Sequence, residues 1–150
     1  MSSCKTNEKA VFYVPEGFKG TVVVVFEQED GQEKEYINNE RVYRIPKDGV
    51  LYSKFEEPNQ GTIEHKYYYV ENNNILQTID KYIPYTEANK FHSDSVYVLQ
   101  EFNGGHKSYE NDKAKDEIRY MYSSIGKLKN KENLINEAHN RIKELNDKSD

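Results

Sequence analysis

The chain has 150 residues, 21 basic and 26 acidic side chains, a formal net charge of −5 and a mean hydropathy of −1.01. That length makes one domain with room for a core. Acidity without a basic stripe argues against a nucleic-acid partner, and no apolar run reaches the roughly 20 residues of a membrane-spanning helix.

Residues 1–9 are polar and read as a disordered tether. The one cysteine, Cys4, excludes an internal disulfide and a cysteine-rich metal site. Met1-Ser2-Ser3-Cys4 places small residues before it, and Lys5-Thr6-Asn7-Glu8-Lys9 places a polar run after it. Bacterial lipoproteins are acylated at a cysteine in such a setting, so Cys4 is the candidate lipidation site. The expectation is that the apolar signal segment was removed or replaced by Met1; the other possibility is a free thiol in a polar terminus. A single acyl chain holds a membrane only marginally, so stable anchoring needs more than one.

From residue 10 the pattern is of short strands and turns. Residues 10–14 read as a strand, and Pro15-Glu16-Gly17 as a turn. Residues 21–28 follow as a strand whose four valines, Val22 to Val25, leave no polar face; such a strand is buried on both sides. Asp30-Gly31 is a hairpin signal, with residues 33–37 returning as an edge strand guarded by Lys34 and Glu35. Asn38-Asn39 marks the next turn, 41–45 a strand, Pro46-Lys47-Asp48-Gly49 a turn, and 50–55 a strand with Leu51, Ser53 and Phe55 on one face.

Residues 56–61 form a loop around Pro58, and 62–71 a strand with Ile63, His65, Tyr67 and Tyr69 on one face. The Asn72-Asn73-Asn74 turn leads into 75–79, whose apolar spacing also fits a helix; strand is preferred because a tight Asn turn between short apolar runs suits a hairpin. Residues 85–94 read as a loop, 95–102 as a strand, 106–116 as a charged loop, and 117–128 as a last strand of period two. The tail, residues 130–147, is a helix with Asn130 as its N-cap and an apolar stripe of Leu134, Ile135, Ala138, Ile142 and Leu145. The stripe lies on the body or meets a partner.

These elements make a mainly β fold: an antiparallel β-sandwich, immunoglobulin- or prealbumin-like, with one C-terminal α-helix. The organisation expected is a tether over 1–9, a sandwich over 10–128 and a helical segment over 129–150.

Two stretches carry a resemblance: Val14-Pro15-Glu16-Gly17-Phe18-Lys19-Gly20-Thr21-Val22 and Tyr43-Arg44-Ile45-Pro46-Lys47-Asp48-Gly49-Val50-Leu51. The chain resembles a family of uncharacterised small secreted or lipid-anchored bacterial proteins, with an apolar-Pro-x-Gly-aromatic-x-Gly opening and an Ile-Pro-x-x-Gly-apolar segment. Residues 118–126 resemble the family's late strand. The resemblance implies a lipoprotein start, in keeping with Cys4, and brings no activity, cofactor or ligand with it.

No residue pattern supplies a chemistry of its own. His65, His92, His106 and His139 show no metal-ligand spacing. His65, on an apolar strand face, reads as a satisfied imidazole. His92-Ser93-Asp94 holds the residue types of a nucleophilic triad, but adjacent positions do not build triad geometry. Glu56-Glu57 and Glu29-Asp30 read as surface charge, and neither a phosphate-binding nor a dinucleotide-binding glycine loop occurs. No metal, cofactor or catalytic residue is expected.

Tyr67-Tyr68-Tyr69 is the binding candidate. Exposed strand tyrosines stack on sugar rings or contact a partner, whereas buried ones pack in the core. The expectation is therefore a non-enzymatic cell-envelope module, membrane-anchored through an acylated Cys4 or secreted, binding a protein or glycan. The alternative is a small cytoplasmic immunity- or inhibitor-type interaction protein.

Overall fold

A computed structural model describes residues 8–58, 64–84 and 90–148. Cys4, most of the tether, Ile63 and parts of the loops expected over 56–61 and 85–94 lie outside the described residues. The two proline–glycine corners account for the plan of the fold. Strand β1 (Ala10–Pro15) ends in a turn in which the Phe18 N–H donates to the Pro15 carbonyl at 3.0 Å. The chain does not return beside β1 but crosses to a second sheet as β2 (Gly20–Val25). After β3 (Tyr36–Ile37) and β4 (Glu40–Arg44), the second corner does the same. The Gly49 N–H donates to the Pro46 carbonyl at 2.9 Å, and the chain crosses to β5 (Val50–Tyr52). The arches stack in register, β1 parallel to β4 with Tyr13 opposite Arg44, and β2 parallel to β5 with Val23 opposite Val50.

The first sheet is completed by β6 (His65–Glu71) and β7 (Asn74–Ile79), in the order β3-β4-β1-β6-β7. The second contains β8 (Val96–Glu110) and β9 (Lys113–Lys127), in the order β5-β2-β9-β8. The fold is a β-sandwich with a C-terminal helix, but its pairing is mixed where an antiparallel one was expected. A corner that carries the chain between layers leaves successive first arms side by side and parallel, whereas a hairpin reverses them. β1 is parallel to β6 as well.

The three hairpins, β3–β4, β6–β7 and β8–β9, turn on Asn38-Asn39, Asn72-Asn73 and Asn111-Asp112, with φ between 49° and 66° at all six residues. Positive φ at both central positions is the type I′ geometry that matches strand twist. Two expectations are corrected here. Residues 106–116 form the end of the β8–β9 hairpin, not a loop. Asp30-Gly31 sits in a turn, with the Gly31 N–H on the Gln28 carbonyl at 3.0 Å, yet it joins no hairpin to β2. Both flanks of β2 are taken by β5 and β9, so the returning segment pairs with β4 instead.

Alternation along β2 splits the core in two. Val22 and Val24 face the first sheet among Phe12, Tyr43, Phe55 and Met121. Val23 and Val25 face the other way, with Tyr120, toward Ile142 and Leu145 of helix α1 (Lys131–Lys148). The expected burial on both sides is met, and each side chain so buried contributes about 1.5–3 kcal/mol. Of the two positions open to the helix, it lies on the body. Asn130 is not a separate cap; it falls in a 3-10 turn, Leu128–Asn130, that runs straight into α1.

Candidate functional site: the seam between the sheets

The sandwich closes along one side where β7 ends the first sheet and β8 the second. The chain leaving β7 makes the join. Lys81 bridges Val98, the Val98 N–H donates to the Asp80 carbonyl at 2.8 Å, and the Tyr82 N–H donates to the Val98 carbonyl at 2.9 Å. A groove lies at one end of this seam and a polar cluster at the other.

The groove has a volume of about 490 Å³ and is lined by Glu16 and Lys19 of the first corner, Tyr69, Leu76, Asp80 and Tyr97 among others. Its rim is β7, Asn74-Ile75-Leu76-Gln77-Thr78-Ile79, which carries no charged side chain. Ile75 is 54% exposed and Leu76 47%. Tyr69 pairs with Gln77 but Val70 with Ile75, so Leu76 is the extra residue of a β-bulge and is turned onto the groove. Among the described residues no strand pairs with the outer edge of β7. Edge strands are commonly blunted by charge or brevity. β3, with two residues, and β5, with three, are short; β7 has neither protection.

The polar cluster ties the layers together. His65 of β6 donates from Nδ1 to Glu101 Oε2 of β8 at 2.6 Å, and Lys81 Nζ lies 2.9 Å from Oε1. That bond places the ring proton on Nδ1. Burial pushes the Glu101 carboxyl up, but the hydrogen bonds from His65 and Lys81 outweigh it and hold the group below the ordinary carboxylate value. The second ring nitrogen of His65, Nε2, is buried without a hydrogen-bond partner, and Phe12 meets the ring edge-on at 5.3 Å. Among the described residues the hydrogen-bond partner of the His65 ring is Glu101, and the cluster holds the two sheets together.

Glu101 is the site residue that sequence reasoning misses. Strict alternation separates position 98 from 101. A register shift between Val98 and Gln100 inserts one residue and returns Glu101 to the inward face that Val98 occupies. A carboxylate two residues beyond a run as apolar as Val96-Tyr97-Val98-Leu99, on the same strand, is the signal that finds it. For β7 the signal is a strand of six residues without a charge.

The tyrosine triplet alternates as expected, and two of its rings are in the core. Tyr67 stacks on Phe12 at 4.3 Å, its hydroxyl buried beside Ser123 without a closed hydrogen bond, and burial raises its pKa well above the ordinary phenol value. Tyr69 is buried and donates to the Phe18 carbonyl at 2.6 Å. Tyr68 faces outward, 6.3 Å from the Tyr13 ring. Cys4 lies outside the described residues.

The His92-Ser93-Asp94 stretch stitches the start of β8 to the helix entrance. Asp94 pairs with Lys129 at 2.6 Å, and the hydrogen bond from that ammonium holds its carboxyl below the usual value. The His92 N–H donates to the Tyr97 hydroxyl at 3.0 Å, and the Ser93 carbonyl accepts the Lys129 N–H.

Comparison with known proteins places the chain. A family of unknown function (DUF6843) matches residues 6–134. No curated protein matches. Among solved structures, the 2.75 Å crystal structure of a protein from Bacillus anthracis described as a "putative lipoprotein" is similar, with a TM-score of 0.54 and 16% identity. The match covers 81% of this chain and 71% of that one, and at such identity it establishes a shared fold.

Proposed function

The chain belongs to this family of unknown function, DUF6843, and on that premise we propose that it is a non-enzymatic module of the bacterial cell envelope, tethered through an acylated Cys4 and binding a protein partner at the β7–β8 seam. The observation that carries the binding role is β7: six uncharged residues with an open edge, beside a groove of about 490 Å³. Protein is favoured over glycan because Tyr67 and Tyr69, two of the three rings that could form a sugar-stacking platform, are sealed in the core. The tether is supported by the small residues before Cys4, the polar run after it, and the description of the Bacillus anthracis protein that shares the fold.

Fractionation of cells producing the full gene product tests the tether. The wild type is expected in the membrane fraction with labelled palmitate incorporated, and Cys4→Ala in the soluble fraction without it. Wild-type protein recovered soluble and unacylated would overturn the envelope assignment.

A further inference from the structure

We infer that the partner presents an extended, basic segment, which adds to β7 as a sixth strand of the first sheet and places a cationic side chain in the groove between Glu16 and Asp80. This rests on the proposed role as a protein-binding module and names the chemistry of what is bound. An open strand edge offers a row of N–H and C=O groups to any extended chain, and pockets for alternate side chains then supply selectivity. β7 offers such an edge over six residues, Asn74–Ile79, without a charge to repel an incoming strand. Of the other edge strands, β3 and β5 are too short, and the free end of β8 carries His106, Lys107 and Glu110. The exposed pair at Ile75 and Leu76 supplies apolar contact on the two sides of the strand, the bulge having turned Leu76 onto the groove.

Electrostatics selects the occupant. Glu16, on the first corner, and Asp80, just beyond β7, both line the groove, and among the described residues Lys19 is the one cation that lines it. No ion pair with a described residue engages Glu16 or Asp80. Two unpaired carboxylates against one ammonium, in a concavity of a chain with net charge −5, favour a cation over an anion. A basic side chain from an added strand answers that imbalance, whereas an acidic one adds to it.

Fluorescence anisotropy with labelled eight-residue peptides and the full 150-residue chain tests this. An alternating valine–lysine peptide is expected to bind. An alternating valine–glutamate peptide, and a valine–lysine peptide N-methylated at every second residue, are expected to bind at least tenfold more weakly. The N-methylated peptide keeps the charge and loses strand hydrogen bonds, so it separates strand addition from general attraction to an acidic protein. Glu16→Gln with Asp80→Asn is expected to weaken the valine–lysine peptide at least tenfold, and Leu76→Lys to abolish its binding; both sites are at the surface, and circular dichroism confirms that each variant folds. Amide shifts on binding are expected to map to residues 74–79. Equal binding of the lysine and glutamate peptides, or indifference to N-methylation, would overturn the inference. So would self-association by sedimentation that Leu76→Lys removes, since a second copy of this chain would then be the occupant. Neither result depends on Cys4, and the fractionation result does not depend on β7, so the two assignments fail separately.

Discussion

Gly49 lies directly under the carbonyl of Thr21: a Cβ added at Gly49 would stand 2.3 Å from that oxygen and 2.9 Å from the Phe18 ring. This contact is where the two stacked arches meet, and Gly49 also has a φ of 85°. Gly17, at the corresponding corner of the first arch, has a φ of 76° but nothing within 4 Å of an added Cβ. The two positions therefore separate backbone strain from steric exclusion. Gly17→Ala is expected to cost about 1–2 kcal/mol, the penalty for a left-handed residue with a side chain. Gly49→Ala carries that penalty plus displacement of buried backbone, and is expected to lose more than about 3 kcal/mol in all. Urea unfolding of both variants measures the difference; equal losses would mean that Gly49 is not packed against the Thr21 carbonyl.

The corners show how far the sequence is legible. Proline and glycine act within four residues, so the turn at each corner can be read directly from Pro15-Glu16-Gly17 and Pro46-Lys47-Asp48-Gly49. What a turn joins depends on distant neighbours. A hairpin and an arch have similar local chemistry, which is why the mixed pairing of β1 with β4 and of β2 with β5 is not readable while the strands themselves are. Residues 106–116 fail for another reason: their sequence is largely polar and charged, so no apolar alternation marks the hairpin end, and only Asn111-Asp112 betrays the turn. The His65–Glu101 bond spans 36 residues and depends on a bulge, and neither is visible in a periodic pattern. The tyrosine triplet is intermediate. Its alternation is plain in the sequence, but which of its faces meets the second sheet is not.

Tyr67 and Tyr69 are neighbours on one face with opposite hydrogen-bond status. The Tyr69 hydroxyl donates to the Phe18 carbonyl at 2.6 Å, fastening β6 to the first corner, whereas the Tyr67 hydroxyl is buried without a hydrogen-bond partner. Tyr69→Phe is expected to cost about 1–2 kcal/mol, a net hydrogen bond and an orphaned carbonyl. Tyr67→Phe removes an unsatisfied polar atom and keeps the stack on Phe12, so its expected cost is within about 0.5 kcal/mol of zero. Thermal or urea unfolding checks the order. A larger loss for Tyr67→Phe would show that its hydroxyl is bonded in solution.

Glu101 gives the fold an acid-sensitive tie. Its carboxyl sits below the ordinary 4.5 because the hydrogen bonds from His65 and Lys81 outweigh burial. A carboxylate with a depressed folded pKa contributes stability that is fully present above the unfolded value and is lost as pH falls through the folded one. Glu101→Gln is thus expected to cost about 1.5–3 kcal/mol at pH 7, the range for hydrogen bonds to a charged group. The gap between wild type and variant should narrow once pH drops below 4.5. Glu35, held down by hydrogen bonding to Arg44, and Asp94, by Lys129, titrate in both proteins and cancel from the difference. Unfolding free energies across pH 3.5–7 decide it; a gap independent of pH would exclude Glu101 as the titrating group.

The two faces of β2 belong to different packing units, and a double-mutant cycle can separate them. Val23 packs in the cluster that includes Ile142 and Leu145 of α1, whereas Val24 packs between the sheets with Phe12 and Met121. Val23→Ala and Val24→Ala each remove two buried methyl groups and are each expected to cost about 1–3 kcal/mol. Their couplings to Ile142→Ala should differ. Val23 and Ile142 share a cluster, so their losses should be non-additive by about 0.5 kcal/mol or more. Val24 reaches the helix only through the thickness of the sheet, so its loss should add to that of Ile142→Ala within about 0.3–0.5 kcal/mol. Equal coupling at the two valines would mean that α1 does not sit on the outer face of the second sheet, and that the valine run is buried on that side by something else.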